Sequence, residues 1–185
     1  MKATLLASFV LLVLFPVFVA PVQAQSNKNT DEGTVYVVTI DLPDVFILPS
    51  SFWYPFKRKW EDFKGWFIFD PQKKTEYYLK LSDQRLNEIY HESMSGNTEH
   101  LARLENDFRE QAARVLKYSK KIDNQEQLQS IVQDLTTMQT SHQELFNATI
   151  FQAPQSMNDI LVDIQKSVLA EFSLVISEIL NYNNN

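Results

Sequence analysis

"LARLENDFREQAARVLKYSKKI", Leu101 to Ile122, places Leu101, Leu104, Phe108, Gln111, Val115, Tyr118 and Ile122 at alternating steps of three and four. That spacing keeps them on one stripe of an α-helix, the seam of a heptad repeat, whereas a strand would scatter them over both faces. The stepping resumes at Leu128, Ile131, Leu135, Met138, His142, Leu145 and Thr149, and again at Met157, Leu161, Ile164, Val168, Phe172, Val175 and Ile179. Asp123, with Glu126 three residues on, reads as the cap between the first two runs, and Pro154 ends the second.

Working upstream, Asp70-Pro71 reads as a helix start, since Asp accepts from free N–H groups and Pro suits the first helical position. That helix should run to about Ser95, with Gly96 as its left-handed terminus and Thr98 as the cap of the next. Long amphipathic helices joined by short turns prefer antiparallel neighbours. The fold class is therefore all-α, an elongated antiparallel helical bundle or paired helical hairpins with coiled-coil seams, preceded by a short extended N-terminal segment. The organisation reads as a signal peptide over 1–24 and a flexible or extended segment over 25–49. A helical region over 50–122 follows, with a C-terminal helical hairpin over 123–182 packed on it as one domain.

The leader reading rests on Lys2, the uncharged and mostly apolar run Ala3–Ala20, and the small-residue cleavage site Val22-Gln23-Ala24. An uncleaved membrane anchor is the alternative, disfavoured by the length of the run and by Pro16 within it. Val35–Ile40, "VYVVTI", is the only strand-like run; it reads as lying extended along the helices, with recruitment of a partner's strand as the alternative. The chain has no cysteine, which excludes disulfides, thiolate metal sites and cysteine nucleophiles. A formal net charge of −6 argues against nucleic acid as the principal partner. Three glycines in the whole chain leave no phosphate-cradling loop.

"SFWYPFKRKWEDFKGWFIFDP", Ser51 to Pro71, holds all three tryptophans and five of the thirteen phenylalanines. In a helix opened by Pro55, the residues Trp53, Phe56, Trp60, Phe63 and Phe67 share one narrow face, with Trp66 at its edge and Gly65 opposite. The expectation is that this face docks on the bundle as an aromatic plug and that Trp60 is buried. An interfacial membrane helix is the competing reading, since it shares the Trp/Phe face. Against it, Glu61 and Asp62 leave a net charge of only +2 with Lys57, Arg58, Lys59 and Lys64.

The pattern Leu48-Pro49, Tyr54-Pro55, Lys57, Trp60-Glu61, Phe69-Asp70-Pro71, Lys74, Leu79, Arg85-Leu86 and Glu88 resembles a bacterial exported family catalogued as domain of unknown function number fifty-six sixty-seven. The motifs run from about Leu48 to Lys120, and residues 123–185 carry none of them. The chain departs from the pattern at Lys59, usually apolar, at Tyr78, where the family has histidine, and at Ser82 in place of alanine. The resemblance implies an exported, helical, non-catalytic domain and supplies no activity.

Glu88-x-x-His91 with Glu92 matches half of a di-metal ligand set, but His100 and His142 have no glutamate three residues before them. These residues read as an exposed helix face. Arg85 and Glu88, at i,i+3, read as a pair that fixes the packing of the first two helices. His142 reads as a core-edge histidine with a hydrogen-bond partner, and Asn147-Ala148-Thr149 as a glycosylation sequon by coincidence. No catalytic, metal or cofactor residues are assigned. The functional reading is a non-enzymatic exported interaction module, periplasmic, on the cell surface or secreted, with a protein partner in the envelope. A binding protein for amphipathic ligands or unfolded chains, or a membrane-surface binder through the Trp/Phe helix, is the alternative.

Overall fold

A computed structural model describes residue 45 and residues 47–183. The expected leader and the strand-like Val35–Ile40 lie outside the described residues. Five α-helices follow in order: α1 Tyr54–Trp66, α2 Pro71–Met94, α3 Leu101–Ser119, α4 Gln125–Gln152 and α5 Asn158–Asn183, the last preceded by a 3₁₀ turn at Gln155–Met157.

The ends follow from local chemistry. Asp70 caps α2 by accepting from the Lys73 N–H at 2.8 Å, with Pro71 in the first turn. α2 stops where Gly96 turns to φ +73°, so that the Asn97 N–H reaches the Glu92 carbonyl at 2.9 Å and the Gly96 N–H reaches Ser93 at 3.0 Å. Thr98 does not cap α3 with its side chain. Asn97 takes the Glu99 N–H on its own Oδ1 at 3.1 Å, and the Leu101 N–H meets only the Thr98 carbonyl. The cap of α4 is Asn124 instead of Asp123; its Oδ1 accepts from Glu126 and Gln127 at 2.9 and 3.1 Å. α4 ends at Gln152 because Ala153, preceding Pro154, is held extended at ψ 160°.

The helices α2 to α5 pack as two antiparallel hairpins, α2–α3 and α4–α5, laid side by side. Pairing of Gln139 with Ser173 and of Gln165 with Asn147 sets the antiparallel register of α4 and α5. Arg109 with Ser167 and Lys120 with Glu178 set a parallel register of α3 and α5. Asp83 and Tyr90 on His142 join α2 to α4. α3 and α4 thus lie across a diagonal, although a short turn links them.

The heptad stripes fill the interior. Leu101, Leu104, Phe108 and Val115 share one core with Leu128, Ile131 and Leu135 and the buried positions from Met157 to Ile179, with Phe146 added from outside the α4 seam. Packing of this kind is the dominant favourable contribution to a domain of this size. α2 is buried on two stripes at once. Thr75, Ser82, Leu86, Ile89 and Ser93 face the bundle, and Tyr78, Leu81, Arg85, Glu88 and Glu92 form a second seam. The hydroxyls of Thr75, Ser82 and Ser93 return to carbonyls of their own helix, which lets small polar side chains sit at the closest approaches.

Gln111 occupies a seam position with no exposure, and neither its amide N nor its amide O has a hydrogen-bond partner. A buried amide without partners costs about 1–3 kcal/mol. Gln111→Met, close in volume, should therefore raise stability by roughly 1 kcal/mol or more, read as a higher urea midpoint at unchanged slope.

Candidate functional site

α1 lies along the α2–α3 hairpin, antiparallel to α2, and is turned the opposite way from the sequence expectation. Its aromatic face points to solvent, and its polar face is buried. Phe52, Trp53, Phe56, Trp60, Phe63, Trp66, Phe67 and Phe69 are all exposed, Trp60 at 56% of its accessible surface. Tyr54, Glu61 and Gly65 are the buried side of the same helix. The aromatic plug is thus overturned as a core element: Trp53, Phe56, Trp60, Phe63, Trp66 and Phe67 form an outward ridge.

The reason is on α2. Arg85 has no exposure, and a guanidinium cannot shed its charge, so the surface facing it must supply carboxylates. Glu61 from α1 takes Arg85 Nη2 on both oxygens, at 2.7 and 2.6 Å. Glu88 takes Arg85 Nη1 at 2.8 Å, and the Tyr54 hydroxyl accepts from the same nitrogen at 2.5 Å while donating to Glu88 at 2.8 Å. Lys57 pairs with the second oxygen of Glu88 and donates to the Ile47 carbonyl at 3.2 Å. Two cations and two carboxylates therefore cancel within one buried cluster. Around it, Arg58 bridges Glu61 and Asp107, and Arg103 lies 5.3 Å over the Tyr54 ring.

At the other end of α1 the helices come close through Gly65. A Cβ there would sit 2.7 Å from the Tyr78 hydroxyl, inside van der Waals contact. The Tyr77 hydroxyl donates to the Glu61 carbonyl at 2.7 Å, and Arg114 pairs with Asp62 at 2.9 Å. The i,i+3 pair of Arg85 and Glu88 does fix α1 on α2, as the sequence suggests. What the sequence reading missed is the other three members of the cluster, Tyr54, Lys57 and Glu61. The available signal was the stripe Tyr54, Lys57, Glu61, Gly65 on α1, which steps like a seam opposite the aromatics.

Glu88 and Glu92 do not lie on a solvated face: Glu88 belongs to the ion cluster, and Glu92 is buried with one oxygen held by Asn97 at 2.5 Å. Among the described residues, no group of three or more His, Cys, Asp or Glu is gathered in a metal-binding arrangement. His142 is buried, with Nδ1 at 2.8 Å from the Tyr90 hydroxyl and Nε2 at 2.9 Å from Asp83. Asn147 accepts from Gln165 at 2.8 Å on the helix surface. Among the described residues, no helix is long and apolar enough to cross a membrane.

Burial, followed by the neighbouring carboxylate Glu88, raises the Tyr54 phenol well above its usual range. Burial does the same for Tyr90, with Asp83 adding to it. Tyr77 is pushed up to about 12 by burial and then by Glu61. Burial alone would lower Arg85, but Glu88, Glu61 and Tyr54 more than offset it and its pKa is raised.

The family model described as Domain of unknown function (DUF5667) matches residues 46–170, well over half of the chain, and the chain belongs to that family. The match extends past the stretch that carries the motifs, through α4 and into α5. No curated protein and no solved structure matches the chain.

Three outcomes follow from this geometry. Arg85→Ala removes the one fully buried cation of the cluster, leaving Glu88 to Lys57 and Glu61 to the more exposed Arg58, and should cost about 3 kcal/mol or more in chemical denaturation. Trp60→Ala, on the solvent side of α1, should change stability by no more than about 0.5 kcal/mol. In alkali, an unfolded tyrosine ionises near its ordinary value of about 10. Tyr54, Tyr77 and Tyr90 keep their protons longer when folded, so the unfolded chain binds fewer protons above that pH. Their stabilisation is complete below about pH 10 and is lost as pH rises toward the folded values. The thermal midpoint should accordingly fall between about pH 10 and pH 12.

Proposed function

We propose that this family member is a non-enzymatic exported module that docks on a lipid surface through the aromatic face of α1. The observation that carries the reading is the inverted helix: eight large aromatics face solvent from a segment whose other side is locked in place by the Arg85 cluster. A fluctuating, weakly held segment would expose apolar side chains without purpose. Here the exposure is built into a rigid support.

Charge favours lipid over a protein partner. Lys64 lies along one side of the aromatic stripe, with its ammonium 5.4 Å over the Trp60 ring, and Lys59 lies on the other side, exposed. Glu61 and Asp62, which on sequence alone offset these cations, are consumed by Arg85 and Arg114. Tryptophan and phenylalanine on one face with flanking lysines is the composition of a helix lying in the headgroup region. The overall charge of −6 does not oppose this, because screening limits each charge to about 8–10 Å and the local sign decides. Export rests on the leader-like residues Lys2, Ala3–Ala20 and Val22-Gln23-Ala24.

All three tryptophans, Trp53, Trp60 and Trp66, lie on this face, so indole emission reports on the ridge alone, whatever the leader does. In the free protein the emission should be that of solvated indoles. Vesicles containing phosphatidylglycerol should shift it to the blue, and quenchers fixed near the headgroup should reduce it. Replacing Phe56 and Phe63 by serine should weaken vesicle binding by about ten-fold or more without lowering the thermal midpoint. Unshifted emission on every vesicle, with a shift only on adding a protein fraction, would replace lipid by a protein partner.

A further inference from the structure

Beside the ridge, where α1 ends against α2 and α3, a cavity of about 420 Å³ is lined by Asp62, Trp66, Lys74, Arg114, Lys117 and the ring of Tyr118. Its walls are unusual for this protein in their charge. The ammonium groups of Lys74 and Lys117 lie 4.8 and 5.7 Å from the centre of the Tyr118 ring, and Lys121, outside the cavity lining, lies 5.2 Å from the same ring. The Arg114 guanidinium is 5.2 Å from the Tyr78 ring, which stacks on Tyr118 at 5.5 Å. Among the described residues, none of Lys74, Lys117 and Lys121 has a carboxylate within 4.0 Å. Elsewhere on the same helices Lys57, Arg58, Arg85 and Arg109 are each paired with one. Asp62, the only carboxylate lining the cavity among the described residues, is taken by Arg114 at 2.9 Å.

We infer that this cavity binds a phosphate-bearing anion, and that in the lipid-docked protein the anion is the headgroup phosphate of a phospholipid. Stacked tyrosines hold the cations by cation–π attraction around a space that has room for a phosphate and its glycerol. An oxyanion there would take charge-assisted bonds from Lys74 and Lys117 and from the Arg114 N–H groups that Asp62 and Tyr78 do not engage. Trp66 belongs both to the cavity wall and to the aromatic ridge, so a bound headgroup has its acyl chains beside Trp66 and Phe67, at the depth where the ridge would lie. The inference deepens the lipid-docking reading and, for its lipid source, rests on it.

The test uses the full chain with Trp53→Phe and Trp60→Phe, leaving Trp66 as the single reporter at the cavity mouth. Inorganic phosphate and glycerol 1-phosphate should each change its emission saturably, and Lys74→Gln with Lys117→Gln should abolish the response. A control with Lys80→Gln and Lys166→Gln, which removes the same formal charge outside the cavity, should keep it. On vesicles, the parent should prefer phosphatidylglycerol over phosphatidylcholine by roughly ten- to thirty-fold. The cavity variant should lose that preference while its ridge still enters phosphatidylcholine vesicles. A saturable phosphate response without vesicle binding would support the anion site, assign it to a free phosphate compound and overturn lipid docking. Lipid preference and phosphate response unchanged in the cavity variant, or lost equally in the control, would overturn the site and leave lipid docking standing.

Discussion

Arg85 is the constraint to which the rest of this surface answers. A guanidinium with no access to water keeps its charge, and the low dielectric around it makes an unmatched charge very costly. Glu88 on its own helix supplies one carboxylate, and Glu61 on α1 supplies the other. With Lys57 on Glu88, the cluster is neutral and nearly all its oxygens are engaged. Such an arrangement adds little net stability compared with an apolar core of the same volume, but it discriminates strongly between orientations. Rotating α1 to bury its aromatics would strand the charged side of α2 without partners. The polar contact therefore decides which way the helix faces, and the aromatic exposure follows from it.

The same logic supports the proposed docking role. α1 is held by directional bonds on one side and is free to present large apolar groups on the other. A docking surface works best when it does not have to be ordered at the moment of binding, because the ordering cost would be subtracted from the affinity. Here the ordering is done in advance by Arg85, by the close approach at Gly65 and by the bond from Tyr77 to the Glu61 carbonyl. The cationic cavity at the end of the ridge shares a wall with it in Trp66, so an exposed apolar face and a cationic hollow meet at one edge of the helical domain.

The bundle beneath was legible from one dimension. Most of the steps of three and four from Leu101 to Ile122, from Leu128 to Thr149 and from Met157 to Ile179 return as buried seams. Tyr118, Met138 and Leu145 are half-buried, and Ile122 and Met157 are buried just beyond the ends of α3 and α5. Asp70-Pro71 and Gly96 mark real ends, because backbone chemistry at a helix terminus is local. Asp123 misplaced its cap by one residue, since Asn124 reached the free N–H groups of α4, and Thr98 misplaced its cap altogether, because α3 begins at Leu101 without a side-chain cap.

What the sequence determined by itself is the period, and with it the all-helical class, the approximate helix lengths and most of the stripe that α3, α4 and α5 each bury. Those properties depend on spacing within one segment, where 3.6 residues per turn fixes which side chains share a face. Hydrophobicity then nominates the aromatic stripe of α1 as core, and only the tertiary structure reverses that choice. Tyr54, Glu61 and Gly65 are unremarkable until Tyr78, Arg85 and Glu88 stand opposite them, 13 to 34 residues away along the chain. Which face a short helix buries is settled by the charge it must meet on its neighbour, and that requirement exists only once the two helices are in contact.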